Sequence, residues 1–183
     1  LDMERVWIID PVDGTREYGE ARADWAVHVG LAINGVASVA EYDTNIPVWG
    51  TSSAPLIDGN RLIAIVGGEP DALVVAFDKH TGEEIWRTAR SEFTSWSTPL
   101  VVAHKGKHQV IVTASARTRS YDLSNGELIW ECGGLGTNVI PMPVHAGGIV
   151  YVMSGHRNPA MQAILLDKAK GDITDSDAVL WSI

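Results

Sequence analysis

The chain has 183 residues, of which 45% are hydrophobic, and it carries a formal net charge of -9. This length and composition suffice for a buried core in one or two domains. The acidic balance argues against nucleic acid as a partner, and no apolar run approaches the roughly 20 residues that a membrane helix needs. The single cysteine, Cys132, excludes an internal disulfide.

The first predicted element is a buried strand, because Val6 to Ile9 is an apolar, β-branched run. It leads into a loop that begins at Asp10-Pro11-Val12-Asp13. Two carboxylates three residues apart, with carbonyls between them, offer the hard oxygen ligands that Mg²⁺ accepts. Gly14 would let a phosphate approach the backbone, and Thr15 with the following N–H groups could hold its oxygens. The alternative is that Asp-Pro and Asp-Gly simply shape a turn.

The segment WIIDPVDGTREY closely resembles the core motif of the inositol monophosphatase and bisphosphate nucleotidase family. The resemblance implies metal ligation by Asp10, the Val12 carbonyl and Asp13, and phosphate contacts from Gly14 and Thr15. It also implies a Glu from an upstream GEE-type segment and an Asp from a downstream WDxAA-type segment, and this sequence has neither. A two-metal phosphatase needs enough ligands to fix both ions. We therefore favour the turn-shaping interpretation and expect a vestigial motif.

A β-hairpin is predicted next, with Trp25 to Leu31 and Val36 to Ala40 joined at Asn34-Gly35, a strong two-residue turn signal. The family has a strand pair at this point, so the resemblance spans about Arg5 to Ala40. We place a domain boundary after residue 41, giving a phosphatase-like fragment at 1–41 and a second domain at 42–183. Since the chain opens at Leu1 within a motif, we expect an upstream segment; no signal peptide is visible.

The second domain contains an internal repeat of 44 residues, the separation of Asp78 from Asp122, Gly82 from Gly126 and Trp86 from Trp130. A looser third copy supplies Asp167, Gly171 and Trp181. Each copy predicts four short strands separated by turns that contain Gly, Asp, Asn or Pro. This arrangement is typical of a propeller blade. The Asp can accept hydrogen bonds from its turn, and the Gly can adopt a positive φ. The copies predict blades at about 49–92, 93–136 and 137–183.

These copies resemble the AxDxxTGxxxW blades of the pyrroloquinoline-quinone-like propellers, the superfamily of quinoprotein alcohol dehydrogenases and of an outer-membrane barrel-assembly lipoprotein. The resemblance implies an all-β fold with about three four-stranded blades of an incomplete ring. We do not expect pyrroloquinoline quinone to bind. Ring closure takes at least ~4 blades, and the vicinal disulfide that many quinoproteins place beside the cofactor cannot form from one cysteine.

Candidate binding residues gather on one predicted rim, formed by the loops between second and third strands and between blades. They are Glu69, Asp71, Arg117, His156, Arg157 and Asn158. The alternative is ordinary solvated loops. His104 and His108 flank a predicted hairpin tip, and we favour a solvated tip over a metal site formed by these two histidines. Cys132 is predicted to be a structural thiol.

Two function classes remain open. The favoured one is a non-catalytic propeller segment that serves as a binding or scaffold surface, and the alternative is a Mg²⁺-dependent phosphomonoesterase of the inositol monophosphatase type. Three blades would leave unpaired edges and apolar surface, so we expect a protein partner, self-association or a missing remainder of the parent protein. The two resemblances imply different compartments, cytoplasmic for the phosphatase-like part and exported for the propeller part.

Overall fold

The computed structural model describes residues 53–66, 72–93, 95–155 and 158–183 in full, and residues 5–10, 27–33 and 36–42 as backbone. All regular secondary structure within these ranges is β-strand. The strands in chain order are β1 Arg5–Asp10, β2 Val27–Ile33, β3 Val36–Tyr42, β4 Leu56–Asp58, β5 Arg61–Val66, β6 Ala72–Asp78, β7 Glu84–Arg90, β8 Leu100–His104, β9 Lys107–Thr113, β10 Arg117–Asp122, β11 Leu128–Gly133, β12 Val144–Ala146, β13 Ile149–Ser154, β14 Ala160–Leu165, β15 Gly171–Asp172 and β16 Val179–Ser182.

The first three strands form an antiparallel sheet in the order β1-β2-β3. Ile33 of β2 is paired with Val36 of β3, so two residues connect these strands. This is the hairpin that the sequence predicts, although its turn residues, Asn34 and Gly35, lie outside the described residues. At the other end of the sheet, Asp10 is the last residue of β1 and is paired with His28.

Three further sheets each contain an antiparallel meander of four strands. We call them blade 1 (β4 to β7), blade 2 (β8 to β11) and blade 3 (β12, β13, β14 and β16). The short strand β15 leaves blade 3 and pairs in parallel with β11, extending blade 2 to five strands. The all-β prediction with about three four-stranded blades is therefore confirmed.

Apolar runs explain why the middle strands are buried on both faces. In β5, the five residues from Leu62 to Val66 are all buried, and β9 is buried from Gln109 to Thr113. Successive side chains of a strand point to opposite faces, so an uninterrupted buried run means that both faces of the sheet are covered. Burial alternates along β10 and β13, in which one face is more exposed than the other.

The chain divides into two compact units, Leu1–Ser91 and Glu92–Ile183. The second unit contains blades 2 and 3, and a single core cluster joins them. In this cluster Val102, Ile111 and Trp130 of blade 2 lie with Val150 and Ile164 of blade 3. Every strand of the three meanders lies within one of the predicted ranges 49–92, 93–136 and 137–183. The predicted domain boundary after residue 41 stays a prediction.

Candidate functional site

The phosphatase-like motif follows the first strand. Asp10 is the last residue of β1, and only its backbone is described. The other residues of the motif lie outside the described residues: Val12, Asp13, Gly14 and Thr15. The predicted metal and phosphate contacts therefore stay predictions. Among the residues described in full, no group of three or more His, Cys, Asp or Glu side chains is arranged to hold a metal ion.

Two of the six predicted rim residues are described, Arg117 and Asn158. Arg117 Nη1 lies 3.2 Å from Glu131 and 3.4 Å from Asp172, so acidic neighbours surround its charge. Asn158 is exposed, and its carbonyl accepts a hydrogen bond from Ser154. The remaining four, Glu69, Asp71, His156 and Arg157, lie outside the described residues, and the rim site stays a prediction.

The Asp and Gly of the repeat shape the turn between the third and fourth strands of blade 1. Asp78 Oδ1 accepts hydrogen bonds from the backbone N–H groups of His80 and Thr81, at 2.8 and 2.9 Å. The bond from Thr81, then that from His80, lowers the pKa of the Asp78 carboxyl. Gly82 has φ 78° and donates its N–H to the Asp78 carbonyl. A left-handed residue without Cβ makes this tight turn possible.

Blade 2 repeats this turn with different side chains. Asp122 Oδ1 accepts hydrogen bonds from the backbone N–H and the hydroxyl of Ser124. Gly126 has φ 76° and donates its N–H to the Asp122 carbonyl. The spacing of 44 residues therefore corresponds to one local hydrogen-bonding arrangement used twice.

Blade 3 departs from the sequence alignment at this turn. The N–H of Leu165 donates to the carbonyl of Ala178 across the strand pair, as Asp122 does to Glu127 in blade 2. Leu165, rather than Asp167, thus holds the position of the turn Asp. The connection from Leu165 to Ala178 is eight residues longer than that from Asp122 to Glu127. It contains β15 in place of the tight turn, and Gly171 lies in β15 opposite Trp130. The sequence LLD, which ends at Asp167, resembles SYD, which ends at Asp122. An alignment on this resemblance places Asp167 at the turn position, two residues beyond the residue that holds it.

Asp167 makes interactions with blade 2 instead. Its Oδ1 lies 2.6 Å from both His104 Nε2 and Lys105 Nζ, at the tip of the β8–β9 hairpin. The hydrogen bond from Lys105, followed by that from His104, lowers the pKa of the Asp167 carboxyl. His104 therefore has a carboxylate partner within hydrogen-bond distance at the hairpin tip.

The repeat tryptophans occupy one register position in all three blades. In each blade, a row of four register partners, one from each strand, crosses the sheet. The row begins with an aliphatic residue on the first strand and ends with the tryptophan on the fourth. The rows are Leu56–Ile63–Ala76–Trp86, Leu100–Ile111–Ser120–Trp130 and Val144–Tyr151–Ala163–Trp181.

The tryptophan of the third row is more exposed to solvent than those of the first two rows. Trp130 is 1% exposed because its row packs in the core shared with blade 3, whereas Trp181 is 40% exposed. The rings of Tyr151 and Trp181 approach to 6.2 Å between centroids, and Ala163, paired with both residues, is completely buried beneath them. The face of blade 3 that carries this row is therefore open to solvent.

The neighbouring positions make this face continuously apolar. Met153 is paired with Met161, and Met161 exchanges two backbone hydrogen bonds with Ile183, so these three residues form a second row. We call the face of the two rows the outward face of blade 3: Val144, Tyr151, Met153, Met161, Ala163, Trp181 and Ile183. It contains no charged side chain. A large exposed apolar patch of this kind marks an interaction surface.

The sequence predicts apolar surface at the flank of an incomplete ring, but not that this surface lies on blade 3. The strand IVYVMS is apolar at nearly every position, which predicts burial on both sides. Val150 and Val152 on one side are buried against blade 2, and Tyr151 and Met153 on the other side are not. The strand is apolar in sequence, but one of its faces is exposed. No element of the described residues packs against this face.

Cys132 lies inside the core and is completely buried. Burial is the main reason that the pKa of its thiol is raised to about 11. The thiolate is the nucleophilic form of cysteine. This residue is therefore suited to packing rather than to catalysis.

Comparisons with known proteins agree with both parts of the sequence. The family model described as outer membrane protein assembly factor BamB matches residues 26–133 and 70–182, and the inositol monophosphatase family model matches residues 1–41. The chain is 29% identical over 155 residues to a 3'-phosphoadenosine 5'-phosphate phosphatase of Mycobacterium leprae, a match that covers 80% of this chain and 55% of that protein. The chain thus spans about half the length of this curated relative.

Solved structures resemble the fold at low sequence identity. The BamB crystal structure from Moraxella catarrhalis aligns with a TM-score of 0.57 and 16% identity, covering 86% of this chain and 49% of that one. A europium-containing methanol dehydrogenase aligns with a TM-score of 0.53 and 13% identity, covering 73% of this chain and 24% of that one. Within the described part of the chain, no helix is long and apolar enough to cross a membrane. With four-stranded blades in place and one family model matched across most of its length, the chain belongs to the family of the outer membrane protein assembly factor BamB.

Proposed function

We propose that this chain is a non-catalytic propeller segment that binds protein through the outward face of blade 3. The observation that carries this proposal is the contrast between Trp130 and Trp181. The two residues hold the same register position, but only Trp130 has a sheet packed over its row. Covering the second row would remove Tyr151, Trp181 and the methionines from water, at a gain of about 25 cal/mol for each Å² of apolar surface.

The preferred occupant is a sheet like the one that covers blade 2, because the exposed row repeats the pattern of the buried row. A second copy of this chain offers an apolar sheet face of matching composition, namely its own outward face of blade 3. Two identical faces can meet about a twofold axis, the commonest symmetry of homodimers. Strand β16 also forms one edge of blade 3, and exposed edges favour further pairing between chains. The protein-assembly description of the family supports a protein partner over a small molecule.

Sedimentation equilibrium over a wide range of protein concentrations tests this proposal. The wild-type chain should show a mass that rises with concentration, and Trp181→Lys should remain a monomer because a charge would be buried in the contact. Phe93→Lys is the matched control, since Phe93 is 66% exposed and lies outside the sheets; it should associate like the wild type. A wild-type chain that is monomeric at every concentration would refute the proposed partner.

A phosphatase activity is the second candidate, because a family model and a curated relative both favour it. Residues 1–41 match the inositol monophosphatase family, and the mycobacterial relative that matches 80% of this chain is a 3'-phosphoadenosine 5'-phosphate phosphatase. Asp10 and Asp13 would then hold Mg²⁺, with the Val12 carbonyl as a third ligand. The structure describes the outward face of blade 3 but not the side chains of Asp10 and Asp13, and for this reason we prefer the binding role.

Phosphate release from 3'-phosphoadenosine 5'-phosphate, measured with and without Mg²⁺, separates the two candidates. The binding role predicts no release above the rate without protein under either condition. A release that needs Mg²⁺ and is abolished in Asp13→Asn would establish the phosphatase. Asp175→Asn serves as the control substitution, because Asp175 is an exposed aspartate of the second unit.

A further inference from the structure

A cleft of about 460 Å³ opens in the second unit, between the β8–β9 hairpin and the chain that follows β14. The repeat turns and the predicted rim residues do not line it. Its walls come from blade 2 on one side, including Lys107, Gln109 and Trp130, and from blade 3 on the other, including Leu166 and Lys170. The cleft is large enough for a small molecule or for a few side chains of a peptide.

A polar group at the base of the cleft has an unused donor. Gln109 is 6% exposed, and its Oε1 accepts hydrogen bonds from Trp130 Nε1 at 2.9 Å and Ser120 Oγ at 2.6 Å. The indole N–H can only donate, so it fixes which end of the amide is the oxygen. The Nε2 group then has no acceptor among the described residues. Gln109 lines the cleft, so a ligand bound there can supply an acceptor for this amide N–H.

The charge of the cleft is positive in a chain whose net charge is -9. Three lysines line it, Lys105, Lys107 and Lys170, against a single carboxylate, Asp167. Asp167 lies 2.6 Å from Lys105 and has a lowered pKa, so it remains ionised and neutralises that lysine. Lys107 and Lys170 have no ion-pair partner among the residues that the structure describes. Two ammonium groups are therefore available to an anion.

The cleft also has an apolar part. Leu128, which is about half exposed, lies on one side with the buried Trp130, and Leu166 lies on the other. A strongly hydrated anion without an apolar body would leave this surface in contact with water. An anion attached to an aliphatic chain would use both parts.

We infer that this cleft binds an aliphatic carboxylate, with the carboxylate between Lys107, Lys170 and the Gln109 amide and the aliphatic chain against Leu128 and Leu166. A carboxylate oxygen accepts from the amide N–H and from both ammonium groups, in charge-assisted hydrogen bonds. The carboxylate can come from a free organic acid or from an acidic side chain beside an aliphatic residue in a peptide. This inference does not depend on the outward face of blade 3.

An NMR titration of the whole chain tests the inference, with the indole N–H of Trp130 and the side-chain amide of Gln109 as reporters. The probes are octanoate, octanamide, inorganic phosphate and the blocked peptide acetyl-Leu-Glu-Leu-amide. Octanoate should shift both reporters and octanamide should not, because it has the same shape without the charge. If the peptide alone shifts them, the carboxylate source is a peptide, and if octanoate alone does so, it is a free acid.

Substitutions then assign the contacts. Lys107→Met and Lys170→Met remove a charge and keep an aliphatic stem, and each should weaken binding of the carboxylate about tenfold. Lys168→Met is the matched control, because Lys168 pairs with Asp177 and does not line the cleft; it should bind like the wild type. Absence of a shift with both carboxylates, a shift with phosphate alone, or unchanged affinity in both lysine variants would overturn the inference.

Discussion

Asp167 Oδ1 lies 2.6 Å from His104 Nε2, and this contact joins the loop after β14 to the β8–β9 hairpin across the two blades of the second unit. The same oxygen also accepts a hydrogen bond from Lys105. Both partners belong to one hairpin tip, so a single carboxylate fixes the position of that tip against blade 3. The contact exists because Asp167 lies two positions beyond the turn Asp of the other blades.

The first prediction follows from the lowered pKa of Asp167, caused first by Lys105 and then by His104. A carboxyl with a lowered folded-state pKa stabilises the fold above its ordinary value of 3.8, and this contribution is lost as the pH falls through the folded-state pKa. Asp167→Asn should therefore be less stable than the wild type near neutral pH. The difference should disappear in acid, as measured by urea unfolding at several pH values.

Asp175→Asn is the control for this series, because Asp175 is exposed in the same connection between β14 and β16. It should follow the wild-type curve at every pH. A constant difference between Asp167→Asn and the wild type down to the lowest pH would show that the carboxylate charge has no role in the contact.

The second prediction compares the repeat tryptophans. Trp130→Ala should lower the free energy of unfolding by about 3–5 kcal/mol, because it leaves a cavity in the core and removes a donor from Gln109. Trp181→Ala should cost about 1 kcal/mol or less in the dilute chain, since its ring is only partly covered. Urea unfolding at low protein concentration measures both values. Equal losses in the two variants would contradict the proposed difference in packing.

The third prediction concerns the junction between blades 2 and 3. Gly134 has φ 102°, and a Cβ at this position would lie 2.6 Å from Gln162 Nε2, which donates a hydrogen bond to the Gly133 carbonyl. Gly134→Ala should destabilise the second unit by about 1–3 kcal/mol through backbone strain and the displaced hydrogen bond. Gly155→Ala is the control, because a Cβ there meets nothing within 4 Å. Thermal unfolding that fails to distinguish the two variants would refute this account.

The fourth prediction uses the raised pKa of the Cys132 thiol, about 11 as a result of burial. At neutral pH the residue should be a protonated thiol within the core, and a thiol-specific reagent should label it only when the chain unfolds. Mass spectrometry of the labelled chain with and without urea provides the measurement. Rapid labelling of the folded chain would mean that Cys132 is accessible and reactive.

The sequence predicted the blades because their chemistry is local. The Asp and Gly of the turns at Asp78 and Asp122 act within a few residues of each other, so a spacing of 44 residues was sufficient to find them. Blade 3 was harder to align because Leu165 replaces the turn Asp, and LLD resembles the motif by coincidence.

Sites formed by distant segments could not be predicted in the same way. The cleft depends on Gln109, Trp130 and Lys170 meeting across two blades, and none of these residues is unusual in its own stretch of sequence. The outward face of blade 3 depends on which neighbour a sheet has. Apolar strands predict that a face will be covered, and the covering element lies elsewhere in the fold.

Hydroxyl-radical footprinting of dilute and concentrated protein tests most directly whether the outward face of blade 3 is a binding surface. Trp181 and Met153 are reactive side chains on this face, and Phe93 is an exposed aromatic residue away from it. We predict that oxidation of Trp181 and Met153 falls as the protein concentration rises, while oxidation of Phe93 does not change. Equal oxidation of Trp181 and Met153 at all concentrations would contradict the account.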